Sequence, residues 1–151
     1  MKVERIFTRS VLATTRGASL AEAASAMRRF QVGCLVVMDD ANPEGMPVGI
    51  VTDRDIALQG FASESSTVVA AMTPVVATVS EEAESHEALE LMHAHGVRRL
   101  VVTGRRGKVC GILSIDDIVD GLSTELAAAA AVLKGEIRLD SAGLGNVKVG
   151  G

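Results

Sequence analysis

The sequence predicts an α/β (α+β) protein in which two β-α-β-β-α repeats pack through their sheets as one module. Three observations lead there. The stretch "GIVTDRDIA" at 49–57 returns as "GILSIDDIV" at 111–119. The flanking residues repeat in the same order, and each half alternates between helical and strand spacing of its apolar residues.

A shift of 65 residues places Phe7-Thr8 on Met72-Thr73, Ala23 on Ala88, Met27 on Met92, Val32 on Val97, and Leu35-Val36-Val37 on Leu100-Val101-Val102. Beyond the turn "DDANPEGMP", which corresponds to the shorter "GRRGKV", the shift falls to 62, pairing Gly49 with Gly111, Thr52 with Ser114 and Asp55 with Asp117. Surface turns tolerate such length changes.

Each half opens with a short strand, "SVLAT" at 10–14 and "VVATV" at 75–79. A helix follows from Ser19, with Leu20, Ala23, Ala24, Met27 and Phe30 on one stripe and a Ser19/Glu22 capping box at its start. Its counterpart carries Ala88, Leu89, Met92 and His95, and Gly96 supplies the stop. Two β-rich runs come next, "GCLVVM" with "VGIVT" and "RRLVVT" with "VCGILS". Second helices open at Asp53 and Ile115. The expected boundaries are 2–62 and 63–121 for the repeats, 122–135 for an alanine-rich C-terminal helix, and 136–151 for a mobile tail. One repeat of about 60 residues buries too little surface to stand alone comfortably, so the two form one folding unit.

Composition narrows the function. The 151 residues are 48% hydrophobic and 23% charged, with a net charge of −4, no Trp, no Tyr and three Phe. An acidic chain poor in aromatic rings suits neither general nucleic-acid binding nor base stacking. No secretory signal is visible in "MKVERIFTRS", and "LAAAAAVL" at 126–133 is too short to span a bilayer. Cys34 and Cys110 lie in apolar runs and read as buried, reduced thiols. A cytoplasmic protein without a membrane partner is expected.

"GIVTDRD", "GILSIDD", "AMTPVVATV" and "HGVRRLVV" together resemble a tandem pair of CBS domains, named after cystathionine β-synthase, over Lys2 to Gly121. The resemblance implies a cleft between the repeats for an adenosine-containing ligand such as AMP, ADP, ATP, NAD(H) or S-adenosylmethionine. It also implies a flat homodimer. Two departures stand out: Val32-Gly33-Cys34 replaces the charged Val97-Arg98-Arg99 in the first repeat, and "LVVTG" lacks a proline often found in that strand.

The chemistry of such a ligand fits the repeated junctions. A carboxylate can accept hydrogen bonds from both hydroxyls of a ribose diol, and the resemblance gives this role to Asp55 and Asp117. Thr52 and Ser114 can reach a sugar or phosphate oxygen, and helix-start amides favour anions. Yet Thr52-x-x-Asp55 and Ser114-x-x-Asp117 also match a capping box that needs no ligand. Arg98, Arg99, Arg105, Arg106 and Lys108 form a basic run without an acidic residue from 98 to 108. By the resemblance Arg98 and Arg99 contact phosphate, whereas Arg105, Arg106 and Lys108 read as a solvated turn. Arg54 is a weaker candidate. Gly33 and Cys34 bring no charge, so the first repeat borrows an arginine across the cleft, and the Ser114/Asp117 site is expected to be the better phosphate binder. By the resemblance, backbone near Ala13 and Thr78, with walls from Val32 and Val97, would hold the base.

His86, His93 and His95 share a helix without further ligands in register, and no nucleophile is paired with a base. Neither a metal site, a required cofactor nor an enzyme active site is expected. The leading expectation is a regulatory sensor that binds an adenine nucleotide and signals to a separate protein target. A structural dimerisation or adaptor module with a vestigial cleft is the alternative, and a polyanion binder using 98–108 comes third.

Overall fold

The computed structural model describes residues 1–9, 11–59, 66–74 and 77–141, with backbone alone for 136–141. A 3-10 turn at Val3–Arg5 leads into β1 (Thr8–Arg9) and β2 (Ala13–Thr15). Then come α1 (Leu20–Phe30), β3 (Cys34–Met38), β4 (Gly49–Thr52), α2 (Asp53–Gln59) and the one-turn α3 (Val68–Ala71). The second half repeats the order: β5 (Thr73–Pro74), β6 (Thr78–Ser80), α4 (Ser85–His95), β7 (Arg99–Thr103), β8 (Val109–Ser114) and α5 (Ile115–Ser141). The expected mixed α/β class and duplication are present; the lead strands begin later than expected, and Ser10, Val75 and Val76 lie outside the described residues.

Two four-stranded sheets form, ordered β2-β3-β4-β5 and β1-β8-β7-β6. In each, a parallel pair joined by a helix (β2 with β3, β6 with β7) adjoins an antiparallel hairpin. The edge strands are exchanged between repeats. Thr8 pairs with Ile112 of the second repeat, and Thr73 pairs with Ile50 of the first. Gly49 and Gly111 sit opposite these crossings: a Cβ on Gly49 would lie 2.5 Å from Met72 Sδ, and one on Gly111 would collide with the Phe7 ring and the Thr8 carbonyl. The exchange ties the halves into one body.

Strand alternation sorts the apolar side chains into three clusters. Leu35, Val37 and Val51 pack beneath α1 with Leu20, Ala23 and Met27. Leu100, Val102 and Leu113 do the same beneath α4 and α5, with Ala88, Met92 and Ile118. Intervening residues Val36, Met38, Ile50, Val101 and Ile112 meet in a seam between the sheets, flanked by Val11, Cys34 and Val109. Near-continuous runs such as "LVVM" reflect burial on both faces.

The helix starts follow the local sequence. Ser19 Oγ accepts from Glu22 N at 3.1 Å while Ser19 N donates to Glu22 Oε2 at 2.8 Å. Gln31 closes α1 at φ 54° and Gly96 closes α4 at φ 64°, both in the left-handed region.

Three expectations are corrected. Phe30 is 54% exposed, beneath the Arg29 guanidinium, and His95 is exposed, because both extend their stripes beyond the sheet; Leu91 packs in its place. The helix expected to begin at 122 is the continuation of α5, which runs unbroken through Gly121 because no residue there interrupts backbone hydrogen bonding. Residues 136–141, expected in a tail, extend that helix; 142–151 lie outside the described residues.

Candidate functional site

Both repeated junctions are closed capping boxes. Thr52 N donates to Asp55 Oδ2 at 2.9 Å, and Asp55 N donates back to Thr52 Oγ1 at 3.2 Å. Ser114 N donates to Asp117 Oδ2 at 2.8 Å, and Asp117 N donates to Ser114 Oγ at 3.2 Å. Each helix is also hung from the strand beside it: Asp53 N donates to the Gly33 carbonyl and Ile115 N to the Arg98 carbonyl, both at 3.0 Å.

The junctions differ in one proton. Ser114 Oγ donates to Asp117 Oδ2 at 2.7 Å, whereas Thr52 Oγ1 accepts from Asp55 N and donates to no described residue. Among the described residues, the Thr52 hydroxyl proton therefore has no acceptor. Neither Asp55 nor Asp117 uses Oδ1 in any hydrogen bond among the described residues, so each half-buried carboxylate retains a free acceptor oxygen.

Two cavities open along the seam between the sheets. The first, about 230 Å³, is lined by Thr52 and Ile50 from the first repeat and by Thr73, Pro74, Ala77 and Gly96 to Arg99 with Val101 from the second. Arg98 and Arg99 are exposed, and among the described residues neither forms a salt bridge. The second, about 330 Å³, is lined by Val11, Ala13, Val36, Met38, the turn Pro43-Glu44-Gly45, and Lys108, Val109 and Cys110.

The first cavity thus gathers Thr52, Val97, Arg98 and Arg99, with Asp55 bonded to Thr52 and Thr78 next along the chain from lining residue Ala77. The other candidates are elsewhere. Ala13 lines the second cavity, Val32 borders a groove between α1 and α2, and Gly33, Arg54, Ser114 and Asp117 line neither seam cavity. The arginine pair lines the cavity that Thr52 lines and Ser114 does not. Pairing of Arg99 with Ser114 in the sheet is a backbone relation only.

Cys34 occupies in the first repeat the position of Arg99 in the second. Burial raises its thiol pKa; the Arg99 guanidinium opposes this, and the Asp53 and Asp117 carboxylates reinforce it. Arg99 and Asp117 therefore both act electrostatically on this one seam residue. Burial likewise raises Cys110, with Glu81 adding to the effect and Arg9 opposing it.

Thr73, Pro74 and Ala77 in the first cavity and the Pro43–Gly45 turn in the second were not singled out from the sequence. The available signal was "AMTP", which lies near the start of the second repeat and carries a strand over to the first sheet.

Exchanged edge strands, twin helix-start boxes and cavities on the seam define a duplicated α/β module. A CBS domain profile matches residues 3–59 and again 67–124, and the chain belongs to the CBS domain family. It is 37% identical over 122 residues to an uncharacterised 17.7 kDa protein of Acidianus ambivalens, covering 80% of this chain and 73% of that one. It is 34% identical over 134 residues to the uncharacterised protein YlbB of Bacillus subtilis, covering 87% and 88% respectively. Inosine-5'-monophosphate dehydrogenase of Methanocaldococcus jannaschii matches at 30% identity across 78% of this chain but only 23% of the enzyme. Among solved structures, the CBS domain protein PAE2072 from Pyrobaculum aerophilum, complexed with AMP, superposes with a TM-score of 0.68 at 26% identity, covering 85% of this chain and 99% of that one. No described helix is long and apolar enough to cross a membrane.

Proposed function

We propose that this chain is a non-catalytic, cytoplasmic ligand sensor that binds a phosphorylated adenosine compound in the first seam cavity. The observation that carries the reading is a pair of arginines that, among the described residues, have no ion partner and share a cavity with a hydroxyl that donates to none of those residues. Thr52 donates to a sugar or phosphate oxygen, Asp55 Oδ1 accepts from the ribose diol, and Arg98 and Arg99 neutralise phosphate. Val97 and Ile50 supply apolar wall, and backbone near Thr78 meets the base. The AMP bound by the similar Pyrobaculum aerophilum protein supports an adenosine ligand.

The second cavity, which Ala13 and Lys108 line, has no equivalent guanidinium pair, and at the other junction the Ser114 hydroxyl donates within its own box. One anionic ligand per chain follows from that asymmetry. The chain acts as a homodimer and passes the signal to a separate protein target, with no nucleic acid or membrane partner, no metal and no required cofactor.

Calorimetric titration of the whole chain with AMP, ADP, ATP, NAD(H), S-adenosylmethionine and adenosine tests the reading. Binding of at least one phosphorylated member, at one per chain and more tightly than adenosine, is expected. Binding of none of them rejects the sensor and favours the adaptor reading, in which the helix-start boxes serve stability alone.

A further inference from the structure

The second cavity is walled differently from the first. It holds about 330 Å³, near the small end of the roughly 300–1,000 Å³ usual for ligand cavities. Four of its lining residues, Val11, Val36, Met38 and Val109, belong to the seam cluster, so its floor is aliphatic. Among the described residues no helix-start hydroxyl or carboxylate lines it. Cys110 does, but its thiol donates to the Val102 carbonyl at 3.4 Å. The rim comes from two hairpin turns, one in each repeat. Glu44 sits on the first and Lys108 ends the second, and the turns meet where a Cβ on Gly107 would lie 3.5 Å from Met46 Sδ. The other acids of the first turn are engaged at its base. Asp39 pairs with Arg16 at 3.5 Å and accepts from Ala41 N, and Asp40 accepts from Gly17 N at 3.0 Å. Arg105 of the second turn lies 3.9 Å from Glu82. Glu44 and Lys108 are exposed, have no ion partner among the described residues and do not reach one another.

We propose that this cavity binds a free aliphatic α-amino acid, of the leucine, isoleucine, valine or methionine class. Such a molecule carries an ammonium and a carboxylate on one carbon, and the rim offers Glu44 to accept from the first and Lys108 to donate to the second. Charge decides the class. Glu44 disfavours a ligand whose only charge is negative, such as a fatty acid or a phosphate, and Lys108 disfavours a simple amine. The floor decides the side chain, since it rewards aliphatic burial and leaves a buried hydroxyl or amide without a partner. Turn length is the sequence signal. Glu44 falls in "DDANPEGMP", which is longer than its counterpart "GRRGKV". Gly45 keeps the tip compact: its N–H donates to the Asn42 carbonyl at 3.0 Å, and a Cβ there would collide with the Asn42 side chain. Because the two charges come from different repeats, a bound amino acid ties the hairpin turns together across the seam. This inference goes beyond the adenosine reading, concerns a different cavity and does not depend on it.

Calorimetric titration of the full chain with leucine, isoleucine, valine and methionine tests it. The tightest binder is then compared with its N-acetyl derivative, which lacks the ammonium, and its amide, which lacks the carboxylate. Binding of at least one of the four, one per chain, is expected. Both rim groups are exposed, so removing either charge, from the ligand or by Glu44→Gln or Lys108→Gln, should weaken binding about tenfold while the thermal midpoint holds. Binding of none of the four at millimolar concentration overturns the proposal. An N-acetyl derivative that binds as tightly as its parent also overturns it, since the site would then be one for apolar anions. Unchanged affinity in either variant does the same, because the amino acid would then sit elsewhere. Saturating AMP should leave amino-acid binding unchanged, and competition between the two would assign them to one site and reject the proposal. A chain that binds the amino acid but no adenosine compound upholds this proposal and rejects the adenosine reading.

Discussion

Replacing Arg98 and Arg99 together by glutamine separates charge recognition from the rest of the proposed site. Both residues line the cavity and are exposed, so each contributes no more than the lower end for a hydrogen bond to a charged group, about 1–1.5 kcal/mol. Coulomb attraction at ~4 Å with an effective dielectric between about 20 and 80 brackets the same range, roughly 1–4 kcal/mol. The pair then contributes about 2–3 kcal/mol, a loss of roughly 30- to 160-fold in AMP affinity on substitution. Glutamine keeps much of the side-chain volume, so apolar packing is little disturbed. The assay is paired titration calorimetry with AMP and with adenosine, at low and at elevated salt. AMP should weaken by that factor and lose most of its salt dependence, while adenosine should bind the variant as it binds the wild type. Unchanged AMP binding, or an equal loss for both ligands, would refute phosphate neutralisation by these residues.

Other perturbations probe the remaining parts. Asp117→Ala removes a satisfied helix-start box and should lower unfolding free energy by about 1 kcal/mol in urea titration, with AMP binding largely retained; Asp55→Ala should lose similar stability and AMP binding as well. Strong loss of binding in Asp117→Ala alone would reverse the assignment of the site. Gly111→Ala should destabilise by about 1–3 kcal/mol and more than Gly49→Ala, because the rigid Phe7 ring and the Thr8 carbonyl block the new methyl, whereas Met72 can swing aside; equal denaturation midpoints for the two variants would count against the exchanged strands. For Cys34, a folded-state pKa above its ordinary 9.0 means that its contribution to stability is fully present below that value and is lost as pH rises through the folded pKa. Arg99→Gln removes the opposing cation, raises the thiol pKa further and should slow alkylation of Cys34 at mildly alkaline pH; faster alkylation of the intact folded variant would contradict that sign.

The duplication, the helix starts and most strands were legible because local chemistry sets them. Ser19 with Glu22 and Thr52 with Asp55 each satisfy backbone donors within four residues, and "LVVM" needs only strand alternation to find two apolar surroundings. Exchange of the edge strands was not legible, since a two-residue strand such as Thr73–Pro74 has no periodicity and its partner is set by tertiary packing. The Phe7-Thr8 and Met72-Thr73 match was its trace, and Gly49 and Gly111 mark where those segments land. Residue types at the candidate site were readable, but which arginine belongs with which hydroxyl depends on how the sheets face each other. Arg99 of β7 pairs with Ser114 of the neighbouring β8, yet it lines the cavity of Thr52. Continuity of α5 was missed because its repeat counterpart, α2, ends at Gln59.

The proposed sensor has a short physical route from ligand to surface. Arg98 lines the first cavity and presents its carbonyl to Ile115 N, the first residue of α5. Arg99, beside it, pairs with Ser114, whose hydroxyl accepts from Asp117 N to close the start of the same helix. A phosphate that draws the two guanidiniums inward therefore pulls on the backbone from which α5 hangs. In the proposed sensor, displacement at the cavity would pass into a helix of 27 residues, whose far half lies beyond the repeats. The ligand can bias that helix only by the difference in its affinity for the two positions of Arg98, and the charge variants remove that difference without touching the hinge. Since the hinge is backbone to backbone, the route survives side-chain replacement at 98 and 99, and what the variants lose is the ligand's grip on it.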